Sequence, residues 1–195
     1  MKKLYTPKLY IALMHYPVLN KNGEIIASAV TNLDLHDIAR TAKTYGIRKF
    51  FVVTPLKEQK ELVKKLVSHW TDGTGSRYNP KRREALELIS LKDSLNEIID
   101  HLNNTGEGCP KTVVTCARQN NGSISFSKLR NKLKDGRPYI LVFGTAWGLS
   151  ESFIAEADYV LEPVMGDSLY NHLSVRCAAA IIMDRLLGNY SFSDN

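Results

Sequence analysis

Ile140-Leu-Val-Phe-Gly-Thr-Ala-Trp-Gly-Leu-Ser150 is an apolar run that stops at Gly144 and turns through a second glycine at Gly148. With Tyr139 ahead of it, the run is the strongest strand signal in the chain. A strand apolar at successive positions belongs inside a sheet covered on both faces. Glycines at a strand end let the backbone approach a ligand closely and leave amides free to bond it. Downstream, a strand over residues 158–161 ends in Leu161-Glu-Pro-Val-Met-Gly166, and Tyr170-Asn-His-Leu-Ser-Val-Arg176 leads into a helix of small residues. Polar and permissive residues thus gather where apolar strands stop. In an open α/β sheet that is where ligands bind.

Outward from this stretch, strand and helix signals alternate. Residues 8–14 and 49–53 read as strands, and Asn22-Gly23 as a hairpin turn bringing in a short extra strand. Asp34 is the expected cap of a helix whose stripe is Ile38, Ala39, Ala42 and Tyr45, stopped by Gly46. Pro55 opens a helix to about Trp70, residues 71–80 read as a loop, and 86–91 as a strand. A helix over 94–102, a linker over 103–110, a strand at 112–115 and a helix over 126–133 come before the opening stretch. A short helix at 150–157 and a final one over 173–187, stopped by Gly188, complete the pattern. The alternation predicts an α/β fold, a mostly parallel sheet with helices on both faces. The 195 residues read as one domain, 1–195.

Composition narrows the class. The 44% apolar and 24% charged residues are ordinary for a globular protein, and no segment approaches the length of a membrane span. Residues 1–8 lack the apolar core of a signal peptide, so the expected location is the cytoplasm. Cys109, Cys116 and Cys177 are few and lack C-x-x-C spacing, which argues against a disulfide framework or a cysteine zinc site; no metal is expected. The net charge of +6 favours encounter with a polyanion such as RNA. Lysines in 57–65 alternate with Glu58 and Glu61 and read as a solvated helix face. Arg77, Tyr78, Lys81, Arg82 and Arg83 are the candidate RNA contacts, because the ring of Tyr78 would let a base stack amid the cations.

The candidate chemistry lies in three places. Gly144, Thr145, Ala146 and Gly148 lack G-x-G-x-x-G spacing and open no long helix, which disfavours a dinucleotide site. Asn171 and Ser174 flank a helix entrance with His172 between them, and either could be that helix's cap. Asp34-Leu-His-Asp-Ile-Ala-Arg40 sets carboxylates, an imidazole and a guanidinium within about two helical turns.

In combination these segments resemble the SPOUT superfamily of S-adenosylmethionine-dependent RNA methyltransferases, in its SpoU branch. The first motif is seen in Ile38-Ala-Arg-Thr-Ala42 with Tyr45-Gly-Ile47, and the second in Leu141-Val-Phe-Gly144 with Gly148-Leu-Ser150. The third is seen in Ser168-Leu169 through Ser174, Val175 and Ala178-Ala-Ala-Ile181. The chain resembles a group of compact SPOUT proteins carrying Asn171-His-Leu-Ser-Val-Arg176 and without an assigned substrate. The resemblance implies a C-terminal trefoil knot, roughly 112–183, and a homodimer through the knot helices. It implies S-adenosylmethionine held mainly by backbone groups of Thr115, Cys116 and Ala117; of Gly144, Thr145, Ala146 and Gly148; and of Leu161, Pro163, Val164 and Gly166 with Asn171, His172 and Leu173. It implies a tRNA or rRNA substrate methylated on ribose 2′-O or on a base nitrogen such as guanine N1.

Methyl transfer needs in-line approach and removal of one proton, so positioning should supply much of the rate. Arg40 matches the arginine to which the SpoU branch assigns catalysis. A guanidinium does not deprotonate, so Arg40 is cast as a phosphate anchor or anion stabiliser. Asp34, Asp37 and His36 are the candidate proton acceptors, with Asn171 and Ser174 beside the reacting atoms. Thr145-Ala146 stands where the branch carries Asn-Glu. That departure leaves room for an RNA-binding or assembly module without catalysis; a nucleotide-binding Rossmann-type enzyme is the other alternative.

Overall fold

The computed structural model describes residues 6–168 and 170–189; Leu169 of the third motif lies outside them. β1 (Leu9–Met14) and β7 (Tyr139–Gly144) lie side by side at the centre of a six-stranded sheet. β4 (Phe50–Val53) and β5 (Ile89–Lys92) extend it on one side, β6 (Lys111–Thr115) and β8 (Tyr159–Leu161) on the other. Every pairing is parallel. The expected covered sheet is therefore present, and β1 and β4 are buried along their whole length because both faces carry helices.

Alternate residues of each strand feed two cores. Leu9, Ile11 and Leu13 face a core with Phe50, Val52, Leu141 and Phe143. It is closed by α1 (Asn32–Thr44), α2 (Lys57–Thr71), α4 (Pro80–Leu86), α6 (Phe126–Lys132) and α8 (Val175–Leu187). Tyr10, Ala12 and Met14 face the opposite core, closed by α5 (Leu95–Asn104) and α7 (Glu151–Ala155). The Asn22-Gly23 hairpin is formed by β2 (Val18–Leu19) and β3 (Ile25–Ile26), with Gly23 at φ +81°.

Three local readings are corrected. The cap of α1 is Thr31, whose hydroxyl accepts the Asp34 amide at 3.2 Å; Asp34 sits one turn inside, where its charge still favours the helix N-terminus. Residues 71–80 are not a loop: α3 (Thr74–Tyr78) forms there, because Gly75 fits against the Trp70 ring and the His69 carbonyl, where a Cβ would come within 2.7 and 2.9 Å. The strand placed at 86–91 starts only at Ile89, since Asn79 caps α4, which continues through Leu86.

Candidate cofactor and substrate site

β7, β6 and β8 are consecutive parallel neighbours, so their C-terminal ends share one rim. Thr115 pairs with Leu161 across β6 and β8, and its hydroxyl donates to the Val142 carbonyl of β7 at 3.1 Å. The chain after β8 comes back to this rim. Asn171 Nδ2 donates to the Ala117 carbonyl at 2.7 Å and lies 3.1 Å from Met165 Sδ. The structure thus gathers Thr115, Cys116 and Ala117 with Leu161, Pro163, Val164 and the approach to Gly166 and Asn171. His172 and Leu173 follow, exposed, with the His172 ring 5.4 Å from Tyr170.

The loop after β7 stands on buried polar supports. Thr145 donates through its amide and its hydroxyl to the Met14 carbonyl, at 3.2 and 2.8 Å. Ser28 Oγ lies 2.6 Å from Thr145 Oγ1 and 3.0 Å from His15 Nδ1. The protons can be assigned by counting. A carbonyl only accepts, so the Thr145 proton points to Met14; Ser28 then donates to Thr145, and His15 donates through Nδ1 to Ser28. Nε2 of the fully buried His15 keeps a lone pair with no hydrogen-bond partner among the described residues. Burial pushes the His15 pKa down to about 4 against the pull of the Asp34 carboxylate, which holds the ring neutral.

On these supports the backbone is tightly turned. Ala146 has φ +51°, the one left-handed non-glycine among the described residues, and Gly148 has φ +94°. Gly144 leaves little room for a side chain: a Cβ would lie 3.0 Å from the Leu149 nitrogen and 3.1 Å from the Gly148 carbonyl carbon, so that backbone would have to give by a few tenths of an ångström. Thr145 therefore supports the loop from beneath, while Ala146 and Trp147 form its outward turn.

The charged residues of α1 meet α8 through Arg176, the end of the Asn171–Arg176 segment. Its Nη1 lies 3.3 Å from Asp34 Oδ1 and its Nε 3.5 Å from Asp37 Oδ2. The other Asp34 oxygen accepts the Thr31 hydroxyl at 2.6 Å, so each oxygen of this carboxylate has a partner. At the far end Tyr45 donates to Asp184 at 2.7 Å, and that bond raises the phenol's pKa. Between the two clasps an open cavity of about 450 Å³ is lined by Asp37, Arg40, Thr41, Thr44, Tyr45 and Ala180. The Arg40 guanidinium is exposed and forms no ion pair among the described residues. His36 is turned aside: its ring packs edge-on against Trp70 at 5.5 Å, and burial followed by the Arg82 charge lowers its pKa. Ser174 caps α8, accepting the Cys177 amide at 3.3 Å. Asn171 lies before that helix rather than on it.

The basic candidates divide. Arg82 is drawn inward, its guanidinium 4.4 Å above the Trp70 ring and its Nε buried without a hydrogen-bond partner among the described residues. Lys81 pairs with Glu84 at 2.9 Å and Arg83 with Glu87 at 2.8 Å. Arg77 stays exposed and forms no ion pair among the described residues, and Tyr78 beside it is 88% exposed. No cluster of three or more metal-binding side chains occurs among the described residues, all three cysteines are free, and no described helix is long and apolar enough to cross a membrane.

An all-parallel sheet with its loops gathered at the β7–β6–β8 rim and a returning C-terminal helix is the architecture of the SpoU-type SPOUT methyltransferases. The structure matches that of the TrmH/SpoU tRNA modifying enzyme of Aquifex aeolicus with a TM-score of 0.55 at 17% identity, over 93% of this chain and 74% of that one. The chain belongs to a family of SAM-dependent RNA methyltransferases, whose model matches residues 8–188. It is 40% identical over 179 residues to an uncharacterized protein of Aquifex aeolicus, covering 91% of this chain and 87% of that one. It is also 41% identical over 181 residues to a tRNA (guanine-N(1)-)-methyltransferase of Oleidesulfovibrio alaskensis, covering 93% of this chain. The chain spans 42% of the length of that relative. Family membership sets aside the Rossmann-type nucleotide enzyme.

Proposed function

We propose that this chain transfers a methyl group from S-adenosylmethionine to a nucleotide of tRNA. The observation that carries the reading is the cradle at the β7–β6–β8 rim: the loops after β6 and β8 are tied by the Asn171–Ala117 hydrogen bond, beside a loop after β7 that Thr145 anchors to Met14 and that leaves little room for a side chain at Gly144. The residues fit the group. The rim offers backbone amides and carbonyls and apolar side chains of Ala117, Val164, Met165 and Leu173, suited to an adenosine and a sulfonium. S-adenosylmethionine supplies an electrophilic methyl; the chain supplies geometry. Asn171 ties the loop after β8 to the loop after β6. Arg40, exposed and without an ion pair, is suited to hold a phosphate.

Asp34 is engaged by Thr31 and Arg176, Asp37 pairs with Arg176, and His36 packs against Trp70, so all three act through position and the proton displaced by the methyl group leaves to solvent. The Ser174 hydroxyl and the Asn171 amide, adjoining the rim, orient the attacking group. The tRNA assignment draws on the longer relative; whether ribose 2′-O or a base nitrogen such as guanine N1 receives the methyl is set by how the nucleotide is seated. The reading includes one domain over 1–195, a trefoil knot within roughly 112–183, and a homodimer through the knot helices. The return of α8 from the edge strand β8 to pack on α1, α6 and β7 supports the knot. The open cavity between α1 and α8 supports the dimer face.

Calorimetry with S-adenosylmethionine tests the pocket, and labelled methyl transfer to RNA from a strain lacking the gene, followed by nucleoside mass spectrometry, tests the reaction. Absence of S-adenosylmethionine binding at millimolar ligand sinks the reading. Cofactor binding and salt-sensitive RNA binding without transfer would favour the module without catalysis, which the Thr145-Ala146 pair keeps as the second reading.

A further inference from the structure

The chain has two tryptophans, and they are used in opposite ways. Trp70 is enclosed: the Arg82 guanidinium covers its face at 4.4 Å, while His36 and His69 meet it edge-on at 5.5 and 5.1 Å. Trp147 is 69% exposed, at the turn of the loop after β7. A ring that could bury 150–250 Å² gives up most of that gain by standing in water. The exposure does not come from a loose loop. The Trp147 amide donates to the Leu19 carbonyl at 3.1 Å, and the Gly148 carbonyl accepts from the Leu19 amide at 2.9 Å. The Gly148 amide bonds the Thr145 carbonyl at 2.9 Å, and Thr145 is fastened through Ser28 to buried His15. The residue just before the ring holds φ +51°, a conformation that costs an alanine about 1–3 kcal/mol. Folding gains nothing from this display, whereas a flat partner gains a ring already in place.

We propose that the Trp147 indole is the platform on which an unpaired base of the RNA substrate stacks beside the methyl donor. This rests on the methyltransferase reading and adds the residue that seats the nucleotide. The occupant follows from chemistry: the family acts on RNA, the chain carries a net charge of +6, and every base presents a π-face to a rigid indole. The placement follows from topology, because the ring projects from the same loop whose Gly144 end forms the cofactor cradle. Tyr170, 74% exposed beside His172, is a second aromatic element on that rim. Stacking is tolerant of base identity, so Trp147 fixes where the base lies and leaves its selection to hydrogen bonds elsewhere.

The test uses the full chain. In a Trp70→Phe background the tryptophan emission, excited selectively over the tyrosines, comes from Trp147 alone, and a short single-stranded RNA of mixed sequence should quench it. Trp147→Ala should weaken binding of that RNA by about 5- to 150-fold, the equivalent of ~1–3 kcal/mol of base stacking. Trp147→Tyr should restore most of it. Affinity for S-adenosylmethionine by calorimetry and the oligomeric state by sedimentation should not change. RNA affinity within about twofold of the unsubstituted chain, a parallel loss of S-adenosylmethionine affinity, or loss of an oligomer would overturn the proposal. If the alanine variant does not fold, absence of quenching in the Trp70→Phe protein overturns it equally. Failure of the methyltransferase reading looks different: the unsubstituted chain would then transfer no methyl group, whatever Trp147 does to RNA binding.

Discussion

In the loop after β7, polar groups point inward and a large ring points out; in α3 and α4 the arrangement is reversed. Thr145, Ser28 and His15 spend their side-chain protons on one another and on the Met14 carbonyl beneath the loop, and leave Trp147 free. In the basic segment Arg82 turns inward to cover Trp70, and Lys81 and Arg83 face nearby glutamates. Availability to a ligand is thus set by what folding leaves unpaired rather than by residue type. A segment with no charge can be the better binding surface, and a run of cations can be largely committed to its own helix.

The largest effect should come from His15. Its folded pKa is about 4, whereas the unfolded chain takes up the proton near 6.5. Between those values the unfolded state binds more protons, so a contribution of about 3 kcal/mol, complete above pH 6.5, is lost as the pH falls towards 4. Urea unfolding followed across that window should show the decline, and His15→Phe should flatten it; an unchanged slope would place the titration elsewhere. Next, Thr145→Val removes the hydroxyl that both Ser28 and the Met14 carbonyl use, and should lower stability by about 1–3 kcal/mol. It should weaken S-adenosylmethionine binding too, since the loop loses its support.

Gly144→Ala should act on the cofactor rather than on the core. The new methyl meets the Leu149 and Gly148 backbone, which must shift, and calorimetry should record about tenfold weaker S-adenosylmethionine binding, ~1.4 kcal/mol. The smallest effects should come from the basic helices. Arg77→Ala should weaken RNA binding modestly and reduce the salt slope by about 1, whereas Arg82→Ala should leave that slope alone and lower stability by removing the cover of Trp70. If Arg82→Ala instead behaves as Arg77→Ala, the division between committed and free cations is wrong.

Much of the architecture was legible because it is encoded by spacing. Tyr139–Phe143 is apolar at every position, and only a strand covered on both faces needs that. Gly46 and Asn22-Gly23 mark turns through the positive φ of the glycines. Residues 71–80 misled because glycine and serine are frequent in loops, whereas Gly75 is there to fit under Trp70. Asp34 misled because both Thr31 and Asp34 are good caps, and only the backbone decides between them. His15 gave no local signal: its partner Ser28 lies 13 residues away, and Thr145, which Ser28 bonds in turn, lies 130 away. Arg176 was visible only as the end of a motif until α8 packed against α1.

The sequence by itself determined the alternation of strands and helices, the glycine-bounded loop and the ordered motifs of the family, because periodicity and backbone permissiveness are properties of neighbours along the chain. Tertiary structure decided which polar groups are spent and which remain. It alone joined Asn171 to Ala117, Arg176 to Asp34 and His15 to the loop after β7, and it alone hid Trp70 while displaying Trp147. The physical reason is that a hydrogen bond or a covered ring face is a relation between groups distant in sequence, fixed only when the sheet brings its strand ends to one rim.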